Sequence, residues 1–194
     1  MRRTQGNGTV TPQPQSPRVL IIDDRAANRT AFEAILTEDY TLSLVGSGRE
    51  ALEIAAGMEF AVILLDVRMP EMNGYETAEA LRKLETTRYT PIIFMSAFDQ
   101  DVVQVKRGYV AGATDFVFSP VDEELLKFKV ATFAQLYLRN EAMRIQIVML
   151  ANLVQSLQTE INRRGPTEQY LRSKIQQLEV AIEELQRHLN LIPT

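Results

Sequence analysis

The stretch that decides the fold is Ala61-Val62-Ile63-Leu64-Leu65-Asp66. Five consecutive apolar residues end at a carboxylate, and the segment after it is broken by Pro70 and Gly74. A short apolar run bounded by turn residues is typical of a strand buried on both faces. A carboxylate at the carboxyl end of such a strand lies where open parallel sheets bind ligands. Asp66 is therefore a candidate site residue, the alternative being an ordinary turn aspartate.

The composition excludes several classes of protein. The net charge is −4, so there is no basic surface of the kind that binds nucleic acid. The chain has no cysteine, which rules out disulfides and thiolate metal sites. No apolar run approaches the roughly 20 residues that a membrane span requires. We expect a cytoplasmic protein that binds neither nucleic acid nor membrane.

Strand and helix patterns alternate along the middle of the chain. The first 17 residues are rich in Gly, Pro, Gln and Thr, and we predict a disordered tail there. From Arg18 to about Leu138, five short β-rich runs alternate with five helical patterns. The predicted strands are 19–22, 41–45, 61–65, 91–95 and 114–118, and the predicted helices are 26–36, 47–56, 75–84, 101–110 and one starting near 122. Such alternation predicts an α/β domain with a five-stranded parallel sheet, doubly wound by helices.

A heptad pattern follows the domain over residues 139–194. Apolar residues recur at spacings of 4 and 3 from Leu136 to Ile161, with Asn140 as the polar exception, and again from Leu171 to Leu189. The two segments are in phase, which favours one continuous helix, but Gly165-Pro166 between them favours a break, since an interior proline costs about 3 kcal/mol. A kinked helix and a helical hairpin therefore both remain open. We expect a homodimeric coiled coil through 136–161 and possibly 171–189.

Polar residues follow four of the predicted strands. In a parallel sheet these strand ends meet at one edge, which gathers Asp23, Asp24, Asp66, Ser96 and Ser119. Three carboxylates in one place repel one another and require a cation or a proton. Mg²⁺ prefers oxygen ligands and leaves coordination positions for phosphate. An aspartate beside Mg²⁺ can accept a phosphoryl group, and a nearby serine hydroxyl can hydrogen-bond to it.

Four motifs together resemble the receiver domain of two-component response regulators, over roughly residues 18–138. They are Asp23-Asp24 after the first strand, the segment from Asp66 to Gly74 after the third, Ser96-Ala97 after the fourth and Ser119-Pro120 after the fifth. The resemblance implies the flavodoxin-like form of the doubly wound fold. It also implies a regulatory module without catalytic activity of its own, the output lying outside this chain or in the coiled coil itself.

The resemblance assigns roles to individual residues. Asp66 is the implied phosphoacceptor, and Asp23, Asp24, Asp66 and the main-chain carbonyl of Arg68 are the implied ligands of Mg²⁺. Phosphoryl-binding and switch positions are implied at Ser96, Ala97, Phe116 and Ser119. The implied donor is a phosphohistidine on a sensor histidine kinase or a phosphotransfer protein.

Ser119 departs from the family pattern, which has a lysine there. A serine hydroxyl brings no charge, so a charge-assisted contact of about 1.5–3 kcal/mol is missing. Arg68 or Lys106 could supply a substitute cation, or the receiver could be degenerate. The runner-up interpretation is therefore a dimerisation scaffold that does not respond to phosphorylation.

Overall fold

The computed structural model describes residues 16–96, 102–164 and 169–191. Strands and helices alternate through the first part of the chain, and two long helices follow. Their bounds are β1 (Arg18–Ile22), α1 (Ala26–Leu36), β2 (Thr41–Val45), α2 (Gly48–Ala55), β3 (Val62–Asp66), α3 (Gly74–Leu81), β4 (Ile92–Ser96), α4 (Val102–Val110), β5 (Asp115–Phe118), α5 (Glu123–Arg164) and α6 (Gln169–Leu191). Nearly all of the predicted tail, residues 1–15, lies outside the described ranges.

The five strands form one parallel sheet in the order β2-β1-β3-β4-β5. Helices cover both of its faces. The strand residues Leu20, Ile22, Ile63 and Leu65 pack with α2 and α3, whereas their neighbours pack with α1 and α5 on the opposite face. The predicted doubly wound α/β fold, with a helical extension after it, is confirmed.

The central strand β3 explains the unbroken apolar run. Its residues Ile63 and Leu65 point to one face of the sheet and Val62 and Leu64 to the other, and all four are fully buried. A strand covered on both faces has no solvent-facing side, so it carries no polar alternation. The strand therefore ends where the first carboxylate, Asp66, reaches the edge of the sheet.

Helix α3 ends at Leu81, three residues earlier than the sequence predicts. The reason is Arg82, whose guanidinium donates hydrogen bonds to main-chain carbonyls of the turns that follow. Its acceptors are Thr87 O at 2.9 Å, Arg88 O at 3.2 Å, Thr90 O at 2.6 Å and Gly112 O at 2.7 Å. Burial lowers the pKa of Arg82 to about 10. One side chain thus ties the α3–β4 connection to the α4–β5 turn.

Replacing Arg82 with methionine should destabilise the domain, because the main-chain carbonyls lose their charged donor. Methionine keeps an unbranched apolar side chain, so little packing is lost. We expect the free energy of unfolding to fall by about 2 kcal/mol, the range for hydrogen bonds to charged groups. Urea denaturation measures this change. Arg88→Met is the matched control, since Arg88 is exposed in the same connection and should change little. Equal stability of the two variants would contradict this role of Arg82.

Helix α6 folds back on α5 within one chain. Ile147, Val154 and Ile161 of α5 form a buried cluster with Ile175 and Ile182 of α6. Because only four residues separate the end of α5 from the start of α6, packing of the two helices on each other makes them antiparallel, and Val154 and Gln158 line a shared groove with Glu179 and Ile182. Of the two alternatives left open by the sequence, the structure has the helical hairpin. Gly165 and Pro166 themselves lie outside the described residues.

Across residues 16–96, 102–164 and 169–191, no helix is both long enough and apolar enough to cross a bilayer. The mutual packing of α5 and α6 buries one of the two apolar heptad rows of each helix.

Candidate phosphoacceptor site

Three carboxylates meet at the carboxyl edge of the sheet. Ile22 of β1 pairs with Leu65 of β3, which brings Asp23 level with Asp66. Asp23, Asp24 and Asp66 each offer an oxygen, and these oxygens all lie within 4.8 Å of one another. Asp23 is buried, Asp66 is half-buried and Asp24 is exposed. The structure therefore brings together the three carboxylates that the sequence predicts, in a cleft open to solvent on one side.

Asp23 is held by groups that sequence reasoning missed. Its Oδ1 accepts a hydrogen bond from the main-chain N–H of Arg25 at 2.8 Å, and its Oδ2 accepts one from Nδ2 of Asn28 at 2.9 Å. The guanidinium of Arg29 donates to the main-chain carbonyl of Asp23 at 2.6 Å. Asn28 and Arg29 lie in the first turn of α1. Asn28 therefore holds the carboxylate of Asp23, and Arg29 holds its main chain.

The electrostatics of Asp66 reflect a crowded acidic site. The pKa of Asp66 is raised to about 6, first by burial and then by the negative charges of Asp23 and Asp24. Hydrogen bonds from the main-chain N–H groups of Arg68 and Val67 act in the opposite direction. The largest contributions include no side-chain cation. The folded protein therefore favours a proton or a cation on this carboxylate.

This raised pKa predicts a pH-dependent affinity for Mg²⁺. Above pH 6 Asp66 is ionised and binds the ion without losing a proton, whereas below pH 6 a proton must leave first. We expect the apparent association constant to be nearly flat from pH 7 to 8 and to fall about tenfold from pH 7 to pH 5. Calorimetric titration measures it. Asp66→Asn should remove this step of the pH dependence, and a wild-type affinity equal at pH 5 and pH 7 would contradict the assignment.

The loop after Asp66 is held close to the strand end by Gly74. A Cβ at Gly74 would lie 2.3 Å from Asp66 O and 2.8 Å from Val67 Cα, so only glycine fits without movement of the backbone. Asn73 then starts α3 with a capping box that includes Glu76. Within the loop, Glu71 has φ 63°, a left-handed conformation. The fold thus sets the main chain that carries Arg68 against the acidic cleft.

Two further predicted residues lie on the neighbouring strands. Ser96 ends β4 and is half-buried, and its main-chain carbonyl accepts a hydrogen bond from Ser119 N at 2.8 Å. Asp66 pairs with Met95 in the sheet, so Ser96 is one residue further along the same edge. Ser119 is exposed and follows β5. Ala97 lies outside the described residues.

Phe116 lies in the core beneath α4. Its ring is buried and packs on Phe94 at 5.6 Å and on Tyr109 at 5.2 Å between centroids. Gly108 of α4 makes room for it, because a Cβ there would lie 2.4 Å from Phe116 Cζ. The aromatic side chain is therefore clamped between the sheet and α4, a position from which it can report a movement of that helix.

A family model for the response regulator receiver domain matches residues 19–131, more than half of the chain. The chain belongs to the response regulator receiver family. The receiver domain thus coincides with the sheet, its helices and the first part of α5. This agrees with the resemblance carried by Asp23-Asp24, Asp66 and the residues after β4 and β5.

The curated relatives of this receiver include larger signalling proteins. It is 34% identical over 147 residues to a probable cyclic di-GMP phosphodiesterase of Vibrio cholerae, covering 76% of this chain and 32% of that protein. It is 35% identical over 130 residues to the response regulator PleD of Caulobacter vibrioides, covering 66% and 28% respectively. The chain therefore spans about a third of the length of these relatives.

A solved structure supports the comparison of the sites. The receiver domain of a sensor histidine kinase from Pseudomonas aeruginosa is 26% identical to this chain, with a TM-score of 0.58. The likeness covers 62% of this chain and 98% of that one. That structure has a magnesium ion coordinated in its active site cleft.

The receiver's own acidic cleft fits the same kind of ion. It offers three carboxylates and no sulfur or imidazole, which is the ligand set of a hard divalent cation. Burial, together with the charges of Asp23 and Asp24, raises the pKa of Asp66, so a bound cation would stabilise its ionised form. The two cations suggested by the sequence as substitutes for the missing lysine, Arg68 and Lys106, both have exposed side chains.

Proposed function

We propose that this receiver accepts a phosphoryl group on Asp66 from a phosphohistidine of a sensor histidine kinase or a phosphotransfer protein. The observation that supports the proposal most is the convergence of three carboxylate oxygens within 4.8 Å at the carboxyl edge of the sheet. Membership of the receiver family and the solvent-open position of the cleft agree with it.

The cleft would hold Mg²⁺ through Asp23, Asp24, Asp66 and the main-chain carbonyl of Arg68. The bound ion would offset the charge of the carboxylates and of the incoming phosphoryl oxygens. Asn28 and Arg29 keep Asp23 in place for this task, since both hold it by hydrogen bonds. Gly74 keeps the loop that carries Arg68 against the strand end.

In the proposed transfer, a carboxylate oxygen of Asp66 attacks the phosphorus of the phosphohistidine. The new P–O bond forms as the P–N bond breaks, and the electron pair of the P–N bond stays on the ring nitrogen. The imidazole leaves neutral, either because its other ring nitrogen already carries a proton or because the leaving nitrogen takes one from water. The hydroxyl of Ser96 would donate a hydrogen bond to a phosphoryl oxygen, with Ala97, the next residue in the sequence, contributing to the same phosphoryl-binding segment. Ser119 can offer a second hydroxyl but no charge. Phe116 would follow the resulting movement of α4.

We propose that the signal leaves through α5, because this helix belongs both to the receiver and to the hairpin. Leu126, Val130 and Ala134 pack on the sheet, and the same helix continues to Arg164. Arg144 also contacts Glu59 of the α2–β3 connection at 3.7 Å. The module itself is regulatory, and the output lies in a homodimer built from 136–161 and 171–189 or in a further domain. A cytoplasmic location follows from the proposed donor.

A second candidate function is a dimerisation scaffold that does not respond to phosphorylation. Its support is Ser119, which stands where the family has a lysine and is exposed beside the cleft. Without that cation the phosphoryl group would lack a charge-assisted contact to the end of β5. In this case the acidic cleft would be a remnant, and the helical hairpin would carry the function alone.

Incubation with acetyl phosphate distinguishes the two. The proposal predicts a Mg²⁺-dependent acyl phosphate on the peptide that contains Asp66, detected by mass spectrometry after proteolysis and lost in EDTA. Amide hydrogen exchange of α4 and α5 should change on treatment with beryllofluoride and Mg²⁺. An unmodified Asp66 would reject the phosphoacceptor role, and modification without any change in exchange would favour the scaffold.

A further inference from the structure

The hairpin buries only one of its two heptad rows. The buried cluster consists of positions seven residues apart, Ile147, Val154 and Ile161 on α5 and Ile175 and Ile182 on α6. The other row contains leucine and methionine, and its members are each between 37% and 41% exposed. They are Met143, Leu150 and Leu157 on α5 and Leu178 and Leu185 on α6.

The half-exposed residues of both helices lie on the same side of the hairpin. In each helix this row lies about 60° from the buried row, since three residues advance a helix by about 300°. The two helices run in opposite directions, so the two 60° offsets point to the same side. Val154 lies beside Ile182, which brings Leu157 about level with Leu178 and Leu150 about level with Leu185. We call this stripe of four leucines the leucine face.

We propose that the leucine face binds the leucine face of a second copy of this chain, forming a four-helix bundle of two hairpins. This arrangement specifies the contacts of the homodimer in the proposed function. Only the role of the homodimer in signalling rests on that proposed function. Paired leucine faces would give layers of four leucines that alternate with the isoleucine and valine layers already buried in each hairpin. Alternating apolar layers are the usual core of a four-helix bundle.

The residues that flank the leucine face are complementary between two copies. A two-fold axis parallel to the helices sets α5 of one copy against α6 of the other, again in opposite directions. The same register brings Glu160 about level with Lys174 of the second copy and Leu153 about level with Ala181 of the second copy. Lys174 is exposed and Glu160 is half-buried, and their contacts include neighbours in their own helices, Gln177 at 3.1 Å from Lys174 and Arg163 at 3.4 Å from Glu160. Leu153 is 55% exposed and would become covered.

The other surfaces of the hairpin are less suited to self-association. The groove on the opposite side is lined by Gln155, Gln158, Glu179 and Glu183, so two copies would place like charges together there. Ile145 and Val148 are exposed but belong to neither heptad row. The undescribed segments that follow α5, residues 165–168 and 192–194, contain one large aliphatic residue, Ile192. One such residue is too little to cover the leucine face.

Sedimentation equilibrium of the full chain tests the leucine face. Wild type should be a dimer, and Leu157→Gln combined with Leu178→Gln should weaken association at least a hundredfold. The matched control is Ile145→Gln combined with Val148→Gln, which removes equally exposed apolar residues and should leave the dimer intact. Circular dichroism checks that the hairpin remains helical. A monomeric wild type, or equal weakening by both pairs, would overturn the proposal.

Cysteine cross-linking tests the geometry without disturbing the leucines. The chain has no cysteine, so Glu160→Cys and Lys174→Cys each introduce a single thiol. A mixture of the two variants should form a disulfide-linked dimer faster than either variant alone, because the pairing joins different positions of two chains. Cross-linking of each variant mainly to itself would overturn this arrangement. Acetyl phosphate labelling of Asp66 should proceed in every variant, so its failure would reject the phosphoacceptor role and leave the bundle standing.

Discussion

Asp66→Asn is expected to abolish labelling by acetyl phosphate or by a phosphohistidine donor. The amide presents no anionic oxygen to phosphorus, and Asp23 is a buried carboxylate whose two oxygens each accept a hydrogen bond, from Arg25 and from Asn28. The loss should be complete within detection, whereas a positioning residue would leave a reduced rate. The measurement is the extent of hydroxylamine-labile phosphate on the intact protein after incubation with the donor and Mg²⁺.

Asp39→Asn is the matched control for this prediction. Asp39 is an exposed carboxylate between α1 and β2, and its replacement should leave labelling unchanged. A second readout is stability in EDTA at pH 7.5. Because the pKa of Asp66 is raised, the folded state loses stability as pH rises from about 4 to 6, and the amide escapes this loss. Asp66→Asn should therefore melt at a higher temperature than wild type, and a lower melting temperature together with retained labelling would place the acceptor elsewhere.

Gly74→Ala is expected to damage both stability and phosphorylation. The added methyl group would lie 2.3 Å from Asp66 O and 2.8 Å from Val67 Cα, and both are backbone atoms that cannot rotate away. Either α3 or the end of β3 must move. We expect the free energy of unfolding to fall by about 3 kcal/mol, the upper part of the range for overpacking. The rate of labelling should fall about a hundredfold, as for a misplacement of about 1 Å in an active site.

Gly57→Ala is the matched control for this variant. A Cβ at Gly57 would meet no atom within 4 Å, so the same change in composition should cost little. Urea denaturation gives the stability and acetyl phosphate labelling gives the rate. If the two alanine variants behaved alike, the close approach of Gly74 to the strand end would have no functional consequence.

Much of the receiver fold was predictable because its signals are local. The run from Val62 to Leu65 is apolar since both sheet faces are covered, and that requirement is visible in the sequence itself. The early end of α3 was not predictable. Leu84 continues the helical spacing, but Arg82 turns the chain by bonding to carbonyls up to 30 residues away at Gly112. No local pattern contains the position of that partner.

The residues of the candidate site also divide into those that the sequence predicts and those that it does not. Asp23, Asp24 and Asp66 were predictable because parallel strands bring their carboxyl ends to one edge. Asn28 and Arg29 were not, because their partners are set by the angle at which α1 leaves β1. The need for glycine at position 74 depends on a close approach across the loop that no spacing encodes.

The in-phase heptads favoured one continuous helix, whereas the structure has a hairpin, and there is a physical reason for the difference. Two segments in phase along a continuous helix can also pair their buried rows when one segment folds back, as Val154 and Ile182 do. Periodicity alone therefore cannot distinguish the two arrangements. The resistance of Pro166 to a continuous helix was the more informative signal, although its own conformation lies outside the described residues.

The reversal of direction between α5 and α6 has a consequence for distance. Helix α5 has 42 residues and would carry its far end about 63 Å from its start. Helix α6 returns along it, so Leu191 comes about level with Ile145, only about 10 Å along the axis beyond Leu138. A segment following Leu191 would thus begin close to the receiver domain, and a small tilt of α5 would reach it directly without being relayed along the full length of a long helix.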